Sequence, residues 1–149
     1  YSDMTKFTSK NICETERIGE EIGKKLKGTE VIALYGGLGM GKTALTRGIA
    51  KGAGCGDCVS SPTFAIVNEY RGRFKIYHFD MYRIDGWDDL YSIGFFDYLE
   101  NGVLIIEWSE NIEAVLPEDC IRIKIQEGST ENSRIFTIEG EDFLESSCN

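Results

Sequence analysis

Within the stretch from Ile12 to Leu26, the apolar residues Ile18, Ile22 and Leu26 recur every four positions, which sets them on one stripe of a helix. Asn11 stands before this stretch and Glu14 three places later, a pairing that caps a helix start by satisfying its free amides. Gly19 and Gly23 weaken the helix intrinsically, yet their spacing of four puts both on one side, where another element can pack closely. VIALY, Val31 to Tyr35, is apolar throughout and too short for a helix, which suits a buried strand. A glycine turn then leads into a second helix, from Lys42 to about Lys51. GAGCGDCVSSP reads as a loop. TFAIVNEY (Thr63 to Tyr70) and FKIYHFD (Phe74 to Asp80) read as strands joined by the basic turn RGR. Asp85 can cap a short helix through Leu90, followed by an aromatic-rich region to Leu99. VLIIE (Val103 to Glu107) has the continuous apolar pattern of a central strand covered on both faces. CIRIKI and RIFTI alternate more clearly, as further strands, and residues 141–149 form an acidic tail. Strand, glycine turn, helix and more buried strands predict an α/β fold. Its plan is three layers, with a central mostly parallel or mixed sheet flanked by helices.

The 149 residues have room for one hydrophobic core, so a single domain over 1–149 is expected. The net charge of -9, from 16 basic and 25 acidic residues, argues against a protein that grips nucleic acid unaided through a basic face. A polynucleotide, if involved, would be held by a partner. No apolar stretch approaches the roughly 20 residues of a membrane span. The start, YSDMTKFTSK, lacks the order of a secretory signal, and Met4 suggests that Tyr1 to Asp3 are a leftover of cloning, so a cytoplasmic protein is expected. Cys55 and Cys58 alone have the C-x-x-C spacing, but a structural zinc needs about four ligands and the chain adds one histidine, His78, and no second close pair. Two loop thiols are the favoured reading.

The glycine turn carries the most specific chemistry. Gly36, Gly41, Lys42 and Thr43 match G-x-x-x-x-G-K-[ST], and the match lies after a strand and before a helix, as a phosphate-binding loop requires. Because its glycines put no Cβ in the way, the backbone of Gly36, Gly37, Leu38, Gly39, Met40, Gly41, Lys42, Thr43 and Ala44 can turn its amides toward phosphate oxygens, and the helix start adds positive potential. Lys42 would reach the β and γ phosphates, and Thr43 would place its hydroxyl on Mg2+. The expected fold is thus P-loop NTPase-like.

Two acids end strand-like runs, Asp80 and Glu107, at the carboxyl ends where ligands gather in open α/β sheets. Glu107 is a candidate metal ligand, direct or through water; Asp80 can bind a metal water or position the attacking water. Lys42, Asp80 and Glu107 form the candidate catalytic set. His78, two before Asp80, points to the same side of a regular strand and reads as a hydrogen-bonded packing residue or a group that tunes the site. Trp108 is read as core packing or as a nucleotide or partner contact.

GGLGMGKTALTRG, VSSPTFAIVNEY, IYHFDMYRI and GVLIIEWSE, in this order and spacing, closely resemble the TsaE family, also called YjeE, of bacterial tRNA threonylcarbamoyladenosine biosynthesis ATPases. The likeness runs from about Phe7 to Ile125. It implies a P-loop ATPase that uses ATP and Mg2+ and acts with the TsaD and TsaB proteins, which carry out the transfer of the threonylcarbamoyl group; tRNA is met indirectly through that complex. It also implies magnesium ligation by Thr43 and Glu107, an essential acid near a metal water at Asp80, a functional Trp108, and a switch facing nucleotide or partner at Ser61, Pro62, Thr63 and Phe64. The chain departs from the family's usual residues at Gly37, Met40 and Ala44, where Asp, Ala and a second Thr are common. The loss of a hydroxyl at Ala44 removes a side-chain contact to phosphate while the backbone amide stays.

Two other functions share the loop. A small-molecule kinase would need a basic lid, and seven arginines with no rich cluster offer none. A nucleotide-dependent assembly module, in which binding does the main work, overlaps with the ATPase. A GTP switch is disfavoured by the lack of N-K-x-D. Adenine contacts are not fixed by the pattern, although residues between Thr8 and Thr15 are placed to help cover a base.

Overall fold

A computed structural model of the chain describes residues 3–36, 39–55, 58–60, 67–80, 87–92, 94–99, 101–107 and 109–140. They form one eight-stranded sheet with helices on both faces: β1 (Asp3–Ser9), α1 (Ile12–Lys25), β2 (Val31–Tyr35), α2 (Gly39–Gly52), β3 (Cys58–Ser60), β4 (Val67–Arg71), β5 (Lys75–Asp80), α3 (Trp87–Ser92), α4 (Phe95–Tyr98), β6 (Val103–Glu107), β7 (Ile121–Glu127) and β8 (Arg134–Gly140). A 3₁₀ segment, Ser109–Val115, lies between β6 and β7 and is kinked at Ile112. The strand order is β1-β8-β7-β2-β6-β5-β4-β3. The middle four strands, β7, β2, β6 and β5, are mutually parallel, and antiparallel strands flank them on both sides. The expected mixed sheet in an α/β plan is therefore the observed one.

Two cores follow from the alternation of side chains along the strands. Ile32 and Leu34 of β2, Val103 and Ile105 of β6, and Ile121, Ile123 and Ile125 of β7 pack under α1 and α2. Val31, Ala33, Leu104, Ile106, Tyr77 and Phe79 face the other way, beneath Leu90, Phe95, Ile112 and Leu116. β6 is buried from both sides, as its apolar run predicts.

The two glycines of α1 find their partner in α2. A Cβ on Gly19 would lie 2.5 Å from the Leu45 carbonyl oxygen and 2.9 Å from the Gly48 Cα, and one on Gly23 would lie 3.0 Å from the Gly52 Cα. The helices touch through their backbones, and the pairing of Gly19 with Gly48 and Gly23 with Gly52 makes them run parallel. The predicted cap also forms: Asn11 Oδ1 accepts from the Glu14 amide at 2.9 Å, while Glu14 Oε1 accepts from the Lys10 amide at 2.8 Å.

Two elements differ from expectation. Within the segment read as a loop, Cys58–Ser60 is a strand that pairs antiparallel with β4; tertiary pairing overrides three residues with little strand pattern of their own. The N-terminal segment, assigned no element from sequence, is edge strand β1, paired with β8 from Asp3↔Gly140 to Ser9↔Arg134. Asp3 is the first residue of that strand.

Candidate nucleotide site

The parallel strands end together, and the site lies at those carboxyl ends. Tyr35 closes β2 and leads into Gly36, whose φ of 122° belongs to the left-handed half of backbone space. A Cβ there would lie 2.5 Å from the Ile125 carbonyl oxygen of β7. Both demands leave glycine as the residue that fits, so the chain turns tightly off the sheet into α2. The first turn of α2 carries no acidic side chain, which leaves its amides and their positive end free of a local carboxylate.

Lys42 follows on that turn and is 2% exposed. Its Nζ lies 4.0 Å from Glu107 Oε1 at the end of β6, and the other oxygen, Oε2, lies 2.6 Å from His78 Nε2 on β5. Register explains the meeting. β5 and β6 are parallel, with Asp80 opposite Glu107 and His78 opposite Ile105, so the His78 and Glu107 side chains fall on the α2 side of the sheet. Burial alone pushes the Glu107 carboxyl upward; the hydrogen bond and attraction from His78 and the Lys42 ammonium together outweigh it and hold the group below its ordinary value. The result is a carboxylate kept ionised beside a buried ammonium. Thr43 is exposed on the same turn, and Ala44 is buried.

Parallel packing brings a second helix start to this place. The offset that pairs Gly19 with Gly48 carries Ile12 to Gly41 and Thr15 to Ala44, and all four line one pocket of about 330 Å³. Asn11, Cys13, Asn132 and Arg134 complete its wall. Arg134 is fixed by Nη1, which donates to the Glu131 and Ser133 carbonyls at 2.8 Å each. The α1 start is held in turn by Ser9, whose Oγ donates to the Asn11 carbonyl at 2.7 Å and lies 2.6 Å from Thr15 Oγ1.

On the opposite face the Tyr35 hydroxyl donates to Glu113 in the 3₁₀ segment, and Arg122 Nη2 donates to the other Glu113 oxygen at 3.3 Å. Burial and the Glu113 contact push the Tyr35 phenol well above its ordinary range. This link ties the end of β2 to the chain that leaves β6, so the strand before the loop and the strand bearing Glu107 are fastened together at the site.

Of the predicted site residues, the structure brings Lys42 and Glu107 into contact and places Gly36, Gly41, Thr43 and Ala44 around the start of α2. Gly39 and Met40 belong to α2 and Asp80 to β5 by backbone. Their side chains, together with Gly37, Leu38, Ser61, Pro62, Thr63, Phe64 and Trp108, lie outside the described residues. Sequence reasoning missed Arg134, which no motif marks, and the Tyr35–Glu113 link. It placed His78 on the correct side but did not foresee its bond to Glu107. Among the described residues no cluster of three metal-binding side chains is assembled, and Cys55, whose thiol burial pushes up, carries no disulfide.

The family model described as threonylcarbamoyl adenosine biosynthesis protein TsaE matches residues 9–136, most of the chain. The chain belongs to the TsaE family. Curated TsaE proteins resemble it along most of their length: that of Bacillus subtilis is 37% identical, over 91% of this chain and 86% of its own, and that of Treponema pallidum 35% identical, over 79% and 88%. The TsaE of Haemophilus influenzae is 43% identical over 70% of this chain and 69% of its own. Among solved structures, Bacillus subtilis YdiB superposes with a TM-score of 0.75 at 29% identity, covering 98% of this chain and 95% of the other. Membership of the TsaE family makes the chain a P-loop ATPase, in keeping with its glycine turn and buried lysine. Among the described residues no helix is long and apolar enough to cross a membrane.

Proposed function

We propose that the chain hydrolyses ATP with Mg2+ in threonylcarbamoyladenosine biosynthesis, in association with the TsaD–TsaB transferase, and that Lys42, Thr43, Asp80 and Glu107 carry the chemistry. The observation that supports this best is the buried Lys42 at the start of α2, 4.0 Å from a Glu107 held ionised. A buried ammonium next to a ring of helix amides suits a polyphosphate, whose charge it would meet in a site of low dielectric.

The pocket between the two helix starts suits the base. Its volume falls at the lower end of the range for small-molecule sites. Ile12 and Ala44 offer apolar contact, and the fixed guanidinium plane of Arg134 offers a surface on which an adenine ring can stack. The phosphates would then run toward Gly41 and Lys42.

Thr43 and Glu107 supply the hard oxygen donors that magnesium takes, and the ion needs few of them because phosphates and water complete its shell. When bound, it would neutralise charge on the phosphates. The chain's own work is to hold the γ phosphate through Lys42 and the loop amides, and to order water near Glu107 and Asp80. Ser61 to Phe64 and Trp108 are proposed to face the partner proteins, and tRNA is proposed to be bound by the complex, consistent with the chain's acidic balance.

The test is phosphate release from ATP by the chain alone and with TsaD and TsaB, together with formation of modified tRNA. Lys42→Ala and Glu107→Ala should each reduce turnover by about 10²-fold or more while the fold persists. Near-normal turnover in either folded variant removes that residue from the proposed core. A phosphorylated small molecule in place of free phosphate would indicate a kinase. Full product formation with a nonhydrolysable ATP analogue would indicate an assembly module.

A further inference from the structure

His78 holds a position that simple packing does not explain. Its ring is 14% exposed, its Nε2 lies 2.6 Å from Glu107 Oε2, and its Nδ1 is buried without a hydrogen-bond partner among the described residues. A packing histidine keeps both nitrogens satisfied or in water. Here the ring's polar contact goes to one oxygen of the acid, and that acid's second oxygen faces Lys42.

We propose that His78 is a positioning residue: its ring fixes the Glu107 carboxylate in one orientation, so that Oε1 is presented to Lys42 and to the place that a nucleotide-bound magnesium ion would take. The proposal rests on Glu107 acting in the site, as argued above. A glutamate at a strand end has several rotamers within reach of solvent. Register places His78 two residues behind the Asp80–Glu107 pair, so the bond draws the Glu107 side chain back along the sheet toward the base of the site. One oxygen is then committed to the ring, and the geometry of the other follows. The bare Nδ1 supports the same role, because the ring proton belongs on Nε2, where an acceptor exists. Groups that orient a working carboxylate from behind typically change activity by 10–100-fold on removal.

His78→Phe keeps the ring volume and removes the donor. His78→Gln returns an N–H near the place of Nε2, and since Nδ1 has no partner, nothing is lost on that side. With folding verified by thermal melts, ATP turnover with the partner proteins should fall about tenfold or more in kcat for His78→Phe, with KM changed less than about threefold. His78→Gln should restore most of the loss. The chain holds a single histidine, so its ring nitrogens can be read in long-range ¹H–¹⁵N spectra without ambiguity; a protonated Nε2 whose resonance moves in Glu107→Gln is expected. His78→Phe turnover within twofold of wild type, while Glu107→Gln is inactive, overturns the role of His78 and leaves Glu107 standing. Activity in both variants overturns both. Equal loss in His78→Phe and His78→Gln, or a ring protonated at Nδ1 alone, overturns the positioning role.

Discussion

The two faces of the sheet are covered in opposite ways. Over the site, α1 and α2 meet backbone to backbone at Gly19, Gly23, Gly48 and Gly52, with no side chain between them to adjust. On the other face, short helices are held by rings: Phe79 meets Phe95 and Tyr98 at centroid distances of 5.3 and 5.2 Å, and Tyr77 meets Tyr98 at 4.6 Å, all edge to face. Rings and their rotamers can re-pack when a neighbour changes, whereas two backbones in contact cannot. Rigidity is thus concentrated at the start of α2, where the proposed nucleotide site needs hydrogen-bond precision toward a phosphate. The face with adjustable packing is the one that carries no phosphate loop.

The strongest way to break this comparison is to overpack each face. A side chain at Gly48 would drive into the Glu16 carbonyl, and backbone cannot swing aside. Gly48→Leu should cost about 3 kcal/mol of stability. Phe95→Leu, at a fully buried ring on the other face, should cost about 1–2 kcal/mol because neighbours close part of the gap. Urea unfolding of the two variants gives both numbers. Equal losses would mean that the glycine contact is no stiffer than the aromatic layer. If Gly48→Leu folds, it should also bind ATP more weakly than Phe95→Leu, since a displaced α2 takes Gly41 and Lys42 with it.

Much of the rigid face was legible in the sequence. Gly19 and Gly23 announce a close approach by their spacing, and Gly48 and Gly52 carry the same spacing in the partner helix. The turn at Gly36, the helix that follows it, the Asn11 cap and the apolar strands were legible because each is a local pattern with a local cause. What was not legible is what tertiary pairing decides. β1 and β3 are edge strands made by their neighbours, and nothing in the positions of Tyr35 and Glu113 foretells a bond across 78 residues. Arg134 reaches the pocket only because β8 lies beside β7, which passes under the loop. The bond from His78 to Glu107 required the register of two parallel strands; parity along one strand gave its side but not its partner.

A smaller effect sharpens the comparison at the pocket. Cys13 is an exposed free thiol on the wall shared with Gly41 and Ala44, whereas Cys120 is buried beneath the opposite face. N-ethylmaleimide should label Cys13 before Cys55 and Cys120, and Mg2+ with ATP should slow that labelling several-fold, read by mass spectrometry of the Cys13 peptide. Labelled protein should bind ATP more weakly, and Cys13→Ser should be insensitive to the reagent in that assay. A Cys13 labelling rate unchanged by nucleotide would remove the base from this pocket while leaving the phosphate loop untouched.

The smallest expected effect separates the faces by pH. Glu107 on the site face has a carboxyl below the ordinary 4.5, because His78 and Lys42 outweigh the burial that would raise it. A lowered acid stabilises the fold fully above its unfolded value, and this contribution is lost as pH falls through the folded one. Tyr77 on the aromatic face has a phenol above its ordinary 10.0, chiefly from burial, with Glu69 adding to it. Its sign is reversed: the neutral phenol's contribution is complete below the unfolded value and is lost as pH rises past it. Melting temperatures from pH 3.5 to 10.5 should therefore show a wild-type acid limb that Glu107→Gln makes shallower without altering the alkaline limb. Tyr77→Phe should make the alkaline limb shallower, with the raised Tyr35 phenol keeping part of it, and leave the acid limb as it was. If Glu107→Gln leaves the acid limb as steep as before, the carboxylate is not held ionised by Lys42 and His78, and the buried charge pair no longer distinguishes the face that carries the site.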